Sequence, residues 1–233
     1  VPSRTLNVGV DISDMTPSNW RREVFVRAQF DRYGETFEDK SSQLSTGIRF
    51  SRNEIDESVR PMTGRYIEGE LSGSSKELLS EVDMLRIVTS GYWITQRGDD
   101  DRLLYRAKIG ALTTDNLDKL PPSQRFFAGG DRNVRGFALE SVAPINSDGV
   151  LGGQVMAMAS AEYERIIKNS LAGIGYVDGA YLTSPDAKDV SAASVGVGVR
   201  YFSPIGAVSL SVARGLTEQA PDYRIHFTIG TDY

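Results

Sequence analysis

The sequence predicts an all-β fold, and more specifically an antiparallel transmembrane β-barrel. Apolar and polar residues alternate with a period of two along most of the chain, and helical periodicity is nowhere sustained. Many alternating segments have about ten or more residues, which exceeds the usual length of a soluble strand and suits a tilted crossing of a bilayer. Turn residues at 98–101 and 203–206 separate neighbouring segments.

Eleven strands follow from this pattern. In the second, Val24, Val26, Ala28 and Phe30 alternate with polar neighbours, so we expect this face to meet lipid and the opposite face to line a lumen. The predicted segments are residues 4–13, 20–35, 41–52, 64–74, 81–96, 101–113, 152–165, 170–182, 190–203, 206–216 and 222–232.

The composition allows this fold and excludes a helical membrane protein. The 233 residues suffice for one β domain, which we assign to residues 1–233. A helical span needs about 18 consecutive apolar residues, but the longest charge-free runs, 149–161 and 201–213, have only 13 residues each. A soluble β-sandwich would show the same alternation, with its apolar residues turned inward, and it remains the alternative from a different class.

Other functional classes find little support. The chain has no cysteine, so disulfides and thiolate metal sites are excluded, and its net charge of −5 argues against a nucleic-acid partner. Gly129, Gly130 and Gly136 are spaced somewhat like a phosphate-binding loop, but no Gly-Lys-Ser/Thr run follows them. The aspartates at 99–101 suit a solvated turn better than a cation site. His226 is the only histidine, and no nucleophile motif accompanies it. The sequence predicts neither an enzyme, nor a metal site, nor a cofactor.

The most informative segment is the long connection 114–151 between the sixth and seventh predicted strands. From Leu120 to Phe137 it reads LPPSQRFFAGGDRNVRGF. This run resembles the conserved loop of the BamA/TamA family of outer-membrane assembly barrels, and it is closer to the TamA version than to the BamA version. The residues that carry the loop motif are Arg125, Phe126, Phe127, Gly129, Gly130, Val134, Arg135, Gly136 and Phe137.

The resemblance implies a protein of the bacterial outer membrane whose loop 114–151 folds into the barrel lumen. It implies that the protein aids the insertion or secretion of autotransporter-like substrates, together with a TamB-like periplasmic partner. The mechanism would be physical, because an imperfectly closed seam offers strand edges on which a client strand can pair. A BamA-type insertase or a two-partner-secretion translocator would share the loop, and a plain outer-membrane pore is a further alternative.

The same resemblance implies an ion pair in the lumen. It assigns Glu162 and Asp178 on the inner wall as acidic partners of Arg135, since a buried guanidinium needs paired carboxylates. Both carboxylates alternate with apolar neighbours, which independently places them on the polar faces of their strands. Removing Arg135 is therefore expected to leave two carboxylates unpaired. The alternative is that these residues are simply solvated.

The last predicted strand carries a second signal. Tyr223, Ile225, Phe227, Ile229 and the terminal Tyr233 share one face. This resembles the C-terminal targeting strand by which outer-membrane barrels are recognised for insertion. An ordinary last strand would show the same alternation without requiring a terminal aromatic residue.

The strand number carries an expectation about closure. Barrels made from one bacterial chain have even strand numbers, so eleven indicates a missed strand or a chain without its N-terminal part. The resemblance implies that these are the last eleven strands of a sixteen-stranded barrel, which one copy of the chain could not close. No signal peptide begins at Val1, and an exported protein would then be present in a processed or truncated form.

Overall fold

The computed structural model contains one extended antiparallel β-sheet and confirms the predicted fold class. It describes residues 3–33, 39–146, 149–185, 187–204, 206–217 and 223–230. Eleven long strands and two strands of two residues make up the sheet, together with short 3-10 helices at Lys76–Leu78 and Pro122–Gln124. The strands are β1 (Ser3–Met15), β2 (Arg21–Tyr33), β3 (Asp39–Asn53), β4 (Gly64–Ser74), β5 (Met84–Gln96), β6 (Asp101–Thr114), β7 (Ile145–Asn146), β8 (Gly149–Val150), β9 (Val155–Lys168), β10 (Leu171–Ser184), β11 (Ala187–Ser203), β12 (Gly206–Gly215) and β13 (Arg224–Ile229).

The long strands form a meander in which sequence neighbours are also sheet neighbours. Their order is β1-β2-β3-β4-β5-β6-β9-β10-β11-β12-β13, and adjacent strands are antiparallel. The long connection between β6 and β9 carries the two-residue strands β7 and β8, which the sequence pattern did not predict. β7 also pairs with β11 at Ile145 and Lys188, so part of this connection is fastened to the sheet.

The strands β5 and β9 begin later than predicted, because the preceding residues make other contacts. Residues 81–83 precede β5, since the carboxylate of Asp83 accepts the N–H of Lys76 and holds a turn there. Residues 152–154 precede β9, because Gly153 forms an isolated bridge with Phe126 of the loop.

Other strand ends also differ from the prediction. β13 ends at Ile229, since Gly230 adopts a positive φ of 110°. Several strands extend beyond their predicted ends, among them β1 to Met15, β9 to Lys168, β10 to Ser184 and β11 back to Ala187. The predicted strand residues 34, 35, 222, 231 and 232 lie outside the described residues.

The outer face of the sheet is apolar and the inner face is polar. On β2, Val24, Val26 and Phe30 are 48%, 47% and 50% exposed, whereas Gln29 and Asp31 on the opposite face are 7% and 3% exposed. All thirteen strands belong to one sheet, so among the described residues no second sheet covers the outer face, as a β-sandwich would require. The outward apolar face has the pattern of a lipid-facing barrel wall.

The inner face curves around the long connection. Gln29 on β2 donates a hydrogen bond to the Ser123 hydroxyl (2.6 Å), and the Gly136 N–H donates to His226 on β13 (3.0 Å). One loop thus reaches strands near both ends of the sheet. The largest hydrophobic cluster lies between the loop and the inner wall, and its members are Val82, Met84, Leu112, Leu117, Leu120, Phe126, Ala128, Val134, Phe137, Val142, Leu151, Met156, Ala180, Leu182 and Ala192.

Among the described residues the sheet is not closed. β1 pairs with β2 alone and β13 pairs with β12 alone. Both faces of β1 are exposed, including Asn7 and Asp11 on the polar side. The expectation that these strands do not close a barrel by themselves therefore holds for this part of the chain. None of the described helices has the length and apolar character that a membrane span requires.

Candidate functional site

The loop between β6 and β9 is fastened at its base by Arg125. Its Nε atom donates to the carbonyl of Leu120 (2.7 Å) and its Nη1 atom to the carbonyl of Leu151 (2.8 Å). Its Nη2 atom donates to the carbonyl of Asp118 (2.9 Å). The planar guanidinium can satisfy several acceptors at once, so this one side chain joins the beginning of the loop to its end.

Apolar residues of the motif anchor the loop to the inner face of the sheet. Phe126, Val134 and Phe137 are 3%, 0% and 2% exposed, whereas Phe127 is only partly buried. The Phe126 ring occupies the space above Gly110 of β6, where a Cβ atom would approach a ring carbon to 2.5 Å. The glycine therefore provides room for the aromatic anchor.

Glycines allow the loop to turn sharply. Gly129 and Gly130 have φ values of 104° and 108°, and Gly136 has a φ of 101°. Glycine adopts such values without the steric cost that a Cβ atom brings. A Cβ atom on Gly129 would also lie 2.2 Å from the carbonyl oxygen of Ala138. The two turns present Arg135 to the inner wall.

The guanidinium of Arg135 is held by four residues of the wall. Its Nε and Nη2 atoms donate to the two carboxylate oxygens of Asp178, each at 2.8 Å. Its Nη1 atom donates to Glu162 (2.5 Å), and Nη2 also reaches the hydroxyl of Ser160 (3.2 Å). The Arg135 Cζ atom lies 3.3 Å from the ring centroid of Tyr176. Both acidic residues that the resemblance assigned thus lie in contact with Arg135.

The ion pair is removed from solvent. The side chains of Arg135, Glu162 and Asp178 are 7%, 3% and 0% exposed. Burial by itself lowers the pKa of the Arg135 guanidinium. The hydrogen bond with Asp178 and the charges of Asp178 and Glu162 act in the opposite direction and raise this pKa above its ordinary value. Arg135 therefore remains a cation, and its positive charge is compensated within the site.

Neighbouring groups orient both sides of the pair. The Ser160 hydroxyl donates to Asp178 (2.6 Å), and the backbone N–H of Arg135 donates to the same carboxylate (3.0 Å). Tyr176 is hydrogen-bonded to Ser211 (3.0 Å) and occupies the space above Gly196, where a Cβ atom would lie 2.3 Å from a ring carbon. Because Gly196 on β11 has no side chain, the Tyr176 ring has room to lie against the Arg135 guanidinium, and we call this ring the aromatic platform.

A second buried cluster centres on Glu164. This side chain is 0% exposed and accepts two hydrogen bonds from Arg102, from Nε (2.7 Å) and Nη2 (2.9 Å). Arg60 donates to it at 2.9 Å, and Arg200 donates at 2.5 Å. Three arginines from different parts of the chain therefore share one carboxylate.

Arg200 joins the two clusters. Its Nη1 atom lies 2.9 Å from Glu162 and 2.5 Å from Glu164. The expectation that loss of Arg135 leaves both of its carboxylates unpaired is therefore wrong, because Glu162 keeps a second arginine. The reason is that Glu162 and Glu164 share the inner face of β9 and both face β11 across β10.

The connection 54–63 between β3 and β4 is held by the same network. Arg60 also donates to the backbone carbonyl of Asp100 (2.7 Å), and Arg102 donates to the carbonyl of Pro61 (2.6 Å). This connection leaves the sheet at the end opposite the long loop, since successive turns of a meander alternate between the two ends. Buried charges therefore run from the long loop to a turn at the other end.

None of the members of this second cluster is predicted as a site residue from the sequence. Arg102, Glu164 and Arg200 occupy inward positions on their strands, so a search for charged residues on the polar face could have identified them. Their pairing depends on the register and curvature of four strands, which no local pattern contains. Arg60 lies in a turn and gives no signal in the sequence.

His226 also touches the loop motif, although the sequence assigned it no role. It is 4% exposed on the inner face of β13, and its Nε2 atom accepts the N–H of Gly136 (3.0 Å). Its Nδ1 atom contacts the carboxylate of Asp131. The last described strand thus has direct contact with the loop.

The residues of the suggested targeting strand face outward. Ile225, Phe227 and Ile229 are well exposed on one side of β13, as expected for a lipid-facing position, and Tyr223, which directly precedes the strand, is also exposed. Tyr233 lies outside the described residues. The targeting role remains a prediction.

The fold and the site together define a class of protein. An open antiparallel wall with a lipid-type outer face, and an inward loop held by buried charges, is the wall of an outer-membrane β-barrel. The Omp85 superfamily domain matches residues 3–233, and the chain belongs to this superfamily.

Named relatives are similar at the level of sequence and fold. The chain is 24% identical over 198 residues to the outer membrane protein assembly factor BamA of Nitratidesulfovibrio vulgaris, covering 78% of this chain and 25% of that protein. The structure of BamA from Haemophilus ducreyi lacking POTRA domains 1-3 superposes with a TM-score of 0.78 and 16% identity, over 98% of this chain and 54% of that one. CdiB from Acinetobacter baumannii gives a TM-score of 0.65 and 14% identity, over 97% and 41% of the two chains. The chain thus spans about a quarter of the curated relative and about half of the solved chains.

Proposed function

We propose that this chain is the barrel part of an outer-membrane protein that assembles or translocates other proteins, and that it is of TamA type. Its clients would be autotransporter-like proteins, and its periplasmic partner would be TamB-like. The observation that carries the proposal is the loop with Arg135 held between Asp178 and Glu162. The likeness of the run 120–137 to the TamA version of the loop supports the finer assignment.

The filled inner face argues against a plain diffusion pore. The loop packs its apolar residues and Arg135 against the wall, where a pore would hold water. A buried ion pair contributes little net stability compared with an apolar replacement, but it fixes one geometry because misplacement leaves a charge uncompensated. The arrangement therefore suits a barrel whose work depends on the position of its loop.

We further propose that a client strand pairs with the free edge of β13, which acts as a template for it. It has six residues and pairs with β12 only over Val208–Ala213, whereas the other long strands have ten or more residues. Its other edge pairs with no strand among the described residues. An unpaired strand edge can accept an incoming strand through backbone hydrogen bonds. The proposed step involves no covalent chemistry and no cofactor.

A gene deletion tests the client class. Cells lacking the full-length protein are compared with cells complemented by it. Three protein fractions are measured: autotransporter passengers and ordinary barrels at the cell surface, and soluble exoproteins in the medium. The TamA-type assignment predicts a selective loss of autotransporter passengers. A general loss of barrels would favour a BamA-type insertase instead, and loss of a single secreted exoprotein would favour a two-partner-secretion translocator. No change in any fraction would contradict the proposal as a whole.

Site-specific cross-linking tests whether a client strand pairs with the edge of β13. A photoreactive residue replaces Phe227 on β13 in the full-length protein, and the matched control replaces Phe30 on β2. Both side chains face outward and are 59% and 50% exposed, but Phe30 lies between paired strands. We expect a client to cross-link at position 227 and not at position 30. Equal cross-linking at both positions would contradict templating at this edge.

A further inference from the structure

His226 is a buried polar side chain on β13 that the Arg135 network does not use. It is the only histidine of the chain and is 4% exposed. Both of its ring nitrogens contact the loop: Nε2 contacts the N–H of Gly136 at 3.0 Å, and Nδ1 contacts the carboxylate of Asp131. One imidazole therefore makes two polar contacts with the loop segment 131–136.

The two contacts define the state of the ring. An N–H group can only donate, so Nε2 must be unprotonated to accept from Gly136. The proton of the neutral ring then lies on Nδ1 and is donated to the carboxylate of Asp131. A carboxylate partner at one nitrogen commonly fixes which nitrogen carries the proton. Asp131 thus prepares His226 to accept the hydrogen bond from the motif.

The loop is shaped to receive the ring. Hydrogen bonds from the Asn133 N–H to the Gly130 carbonyl (3.2 Å) and from the Phe137 N–H to the Val134 carbonyl (3.4 Å) form two successive tight turns, 130–133 and 134–137. The first turn contains Asp131 and the second contains Gly136, so together they supply both partners of His226.

Two adjacent residues of the loop motif, Arg135 and Gly136, bind to different strands. Arg135 is held by carboxylates on β9 and β10, and Gly136 is held by His226 on β13. We propose that His226 is a positioning residue that fastens the loop motif to β13, so that the loop and this edge strand move together. The inference rests on the proposed function, because it gives the loop a role at the strand on which a client would pair.

A space-filling role and a positioning role of His226 predict different effects of substitution. If His226 only fills space, any side chain of similar size should serve. If it positions the loop, the acceptor at the Nε2 position matters most. His226→Gln keeps an acceptor there, whereas His226→Phe keeps the ring and removes both nitrogens. Asp131→Ala alters the contact from the half-exposed loop side, where the side chain is 51% exposed and the fold is least disturbed.

Hydrogen exchange at Gly136 is the direct test. The full-length protein and the three variants are placed in lipid nanodiscs, and folding is checked by the heat-dependent shift of the gel band. Loss of one hydrogen bond should speed exchange at the Gly136 amide by about five- to tenfold in His226→Phe. His226→Gln should stay close to the parent protein, and Asp131→Ala should lie between them. Client assembly is measured on the same samples and should follow the same order.

The outcomes separate the two proposals. Unchanged Gly136 exchange in the folded Phe variant, or equally fast exchange in the Gln variant, would overturn the positioning role. If exchange follows the expected order but the parent protein assembles no client, the link between His226 and the loop stands and the proposed function fails.

Discussion

Replacing Arg135 by alanine should loosen the loop while leaving the β-sheet formed. The guanidinium contacts Asp178 through two hydrogen bonds of 2.8 Å and Glu162 through one of 2.5 Å, and all three side chains are buried. Removing one partner of a buried ion pair costs about 3–5 kcal/mol, mainly because the other charge stays behind without compensation.

Glu162 and Asp178 keep other contacts in Arg135→Ala, so we expect the cost of this substitution to lie near the lower end of the range of about 3–5 kcal/mol. Glu162 keeps Arg200 at 2.9 Å. Asp178 keeps the Ser160 hydroxyl at 2.6 Å and the backbone N–H of residue 135 at 3.0 Å. We therefore expect a cost of about 3 kcal/mol for loop docking, which corresponds to a rise of roughly a hundredfold in the undocked fraction. Arg135→Lys should recover little of this, because an ammonium group cannot bridge both carboxylates as a planar fork does.

The assay is hydrogen exchange over residues 126–137 in nanodiscs, measured beside client assembly and the heat-dependent gel shift. Arg132→Ala is the matched control, since Arg132 is an exposed arginine of the same loop. We expect the Arg135 variant to lose loop protection and assembly while the gel shift persists, and the Arg132 variant to behave like the parent. Parent-like protection and assembly in Arg135→Ala would refute the reasoning.

Two further predictions concern the surroundings of the pair. Glu164→Gln should destabilise the folded barrel by about 3–5 kcal/mol, because three arginines lose the charge they share. Asp14→Asn, at an exposed pair, should change stability little. Thermal gel-shift midpoints compare the two, and equal midpoints would contradict a special role for the buried carboxylate. Gly196→Ala should displace Tyr176 and weaken loop protection, whereas Gly175→Ala should not, because a Cβ atom there meets nothing within 4 Å. Equal exchange of the loop in both glycine variants would count against the aromatic platform.

The fold could be predicted because its main signal is local. A strand exposes alternate residues to opposite sides, so an apolar exterior and a polar interior appear directly as a period of two. All eleven predicted strands are present. The errors lie at strand ends such as 81–83 and 152–154, where a side chain or a loop segment from elsewhere competes for the backbone.

The site could be predicted only where a motif marks it. Arg135, Glu162 and Asp178 were assigned through the resemblance, and their alternation showed which way the carboxylates face. Arg200 and His226 are not assigned, because no motif links them to their partners, which lie 36 and 90 residues away along the chain. Contacts between distant segments depend on register and curvature, which are properties of the whole sheet.

The loop is held by two kinds of interaction that serve different ends. Phe126, Val134 and Phe137 are almost fully buried, and each such side chain contributes about 1.5–3 kcal/mol through burial, as an upper estimate. These contacts are tolerant of small displacements, since dispersion and the hydrophobic effect are non-directional. The contacts of Arg135 are directional and yield little net energy, because desolvation offsets the attraction. Apolar burial therefore keeps the loop against the inner face of the sheet, and the contacts of Arg135 fix its position on that face. For this reason, loss of Arg135 should reduce assembly more than it reduces the amount of folded barrel.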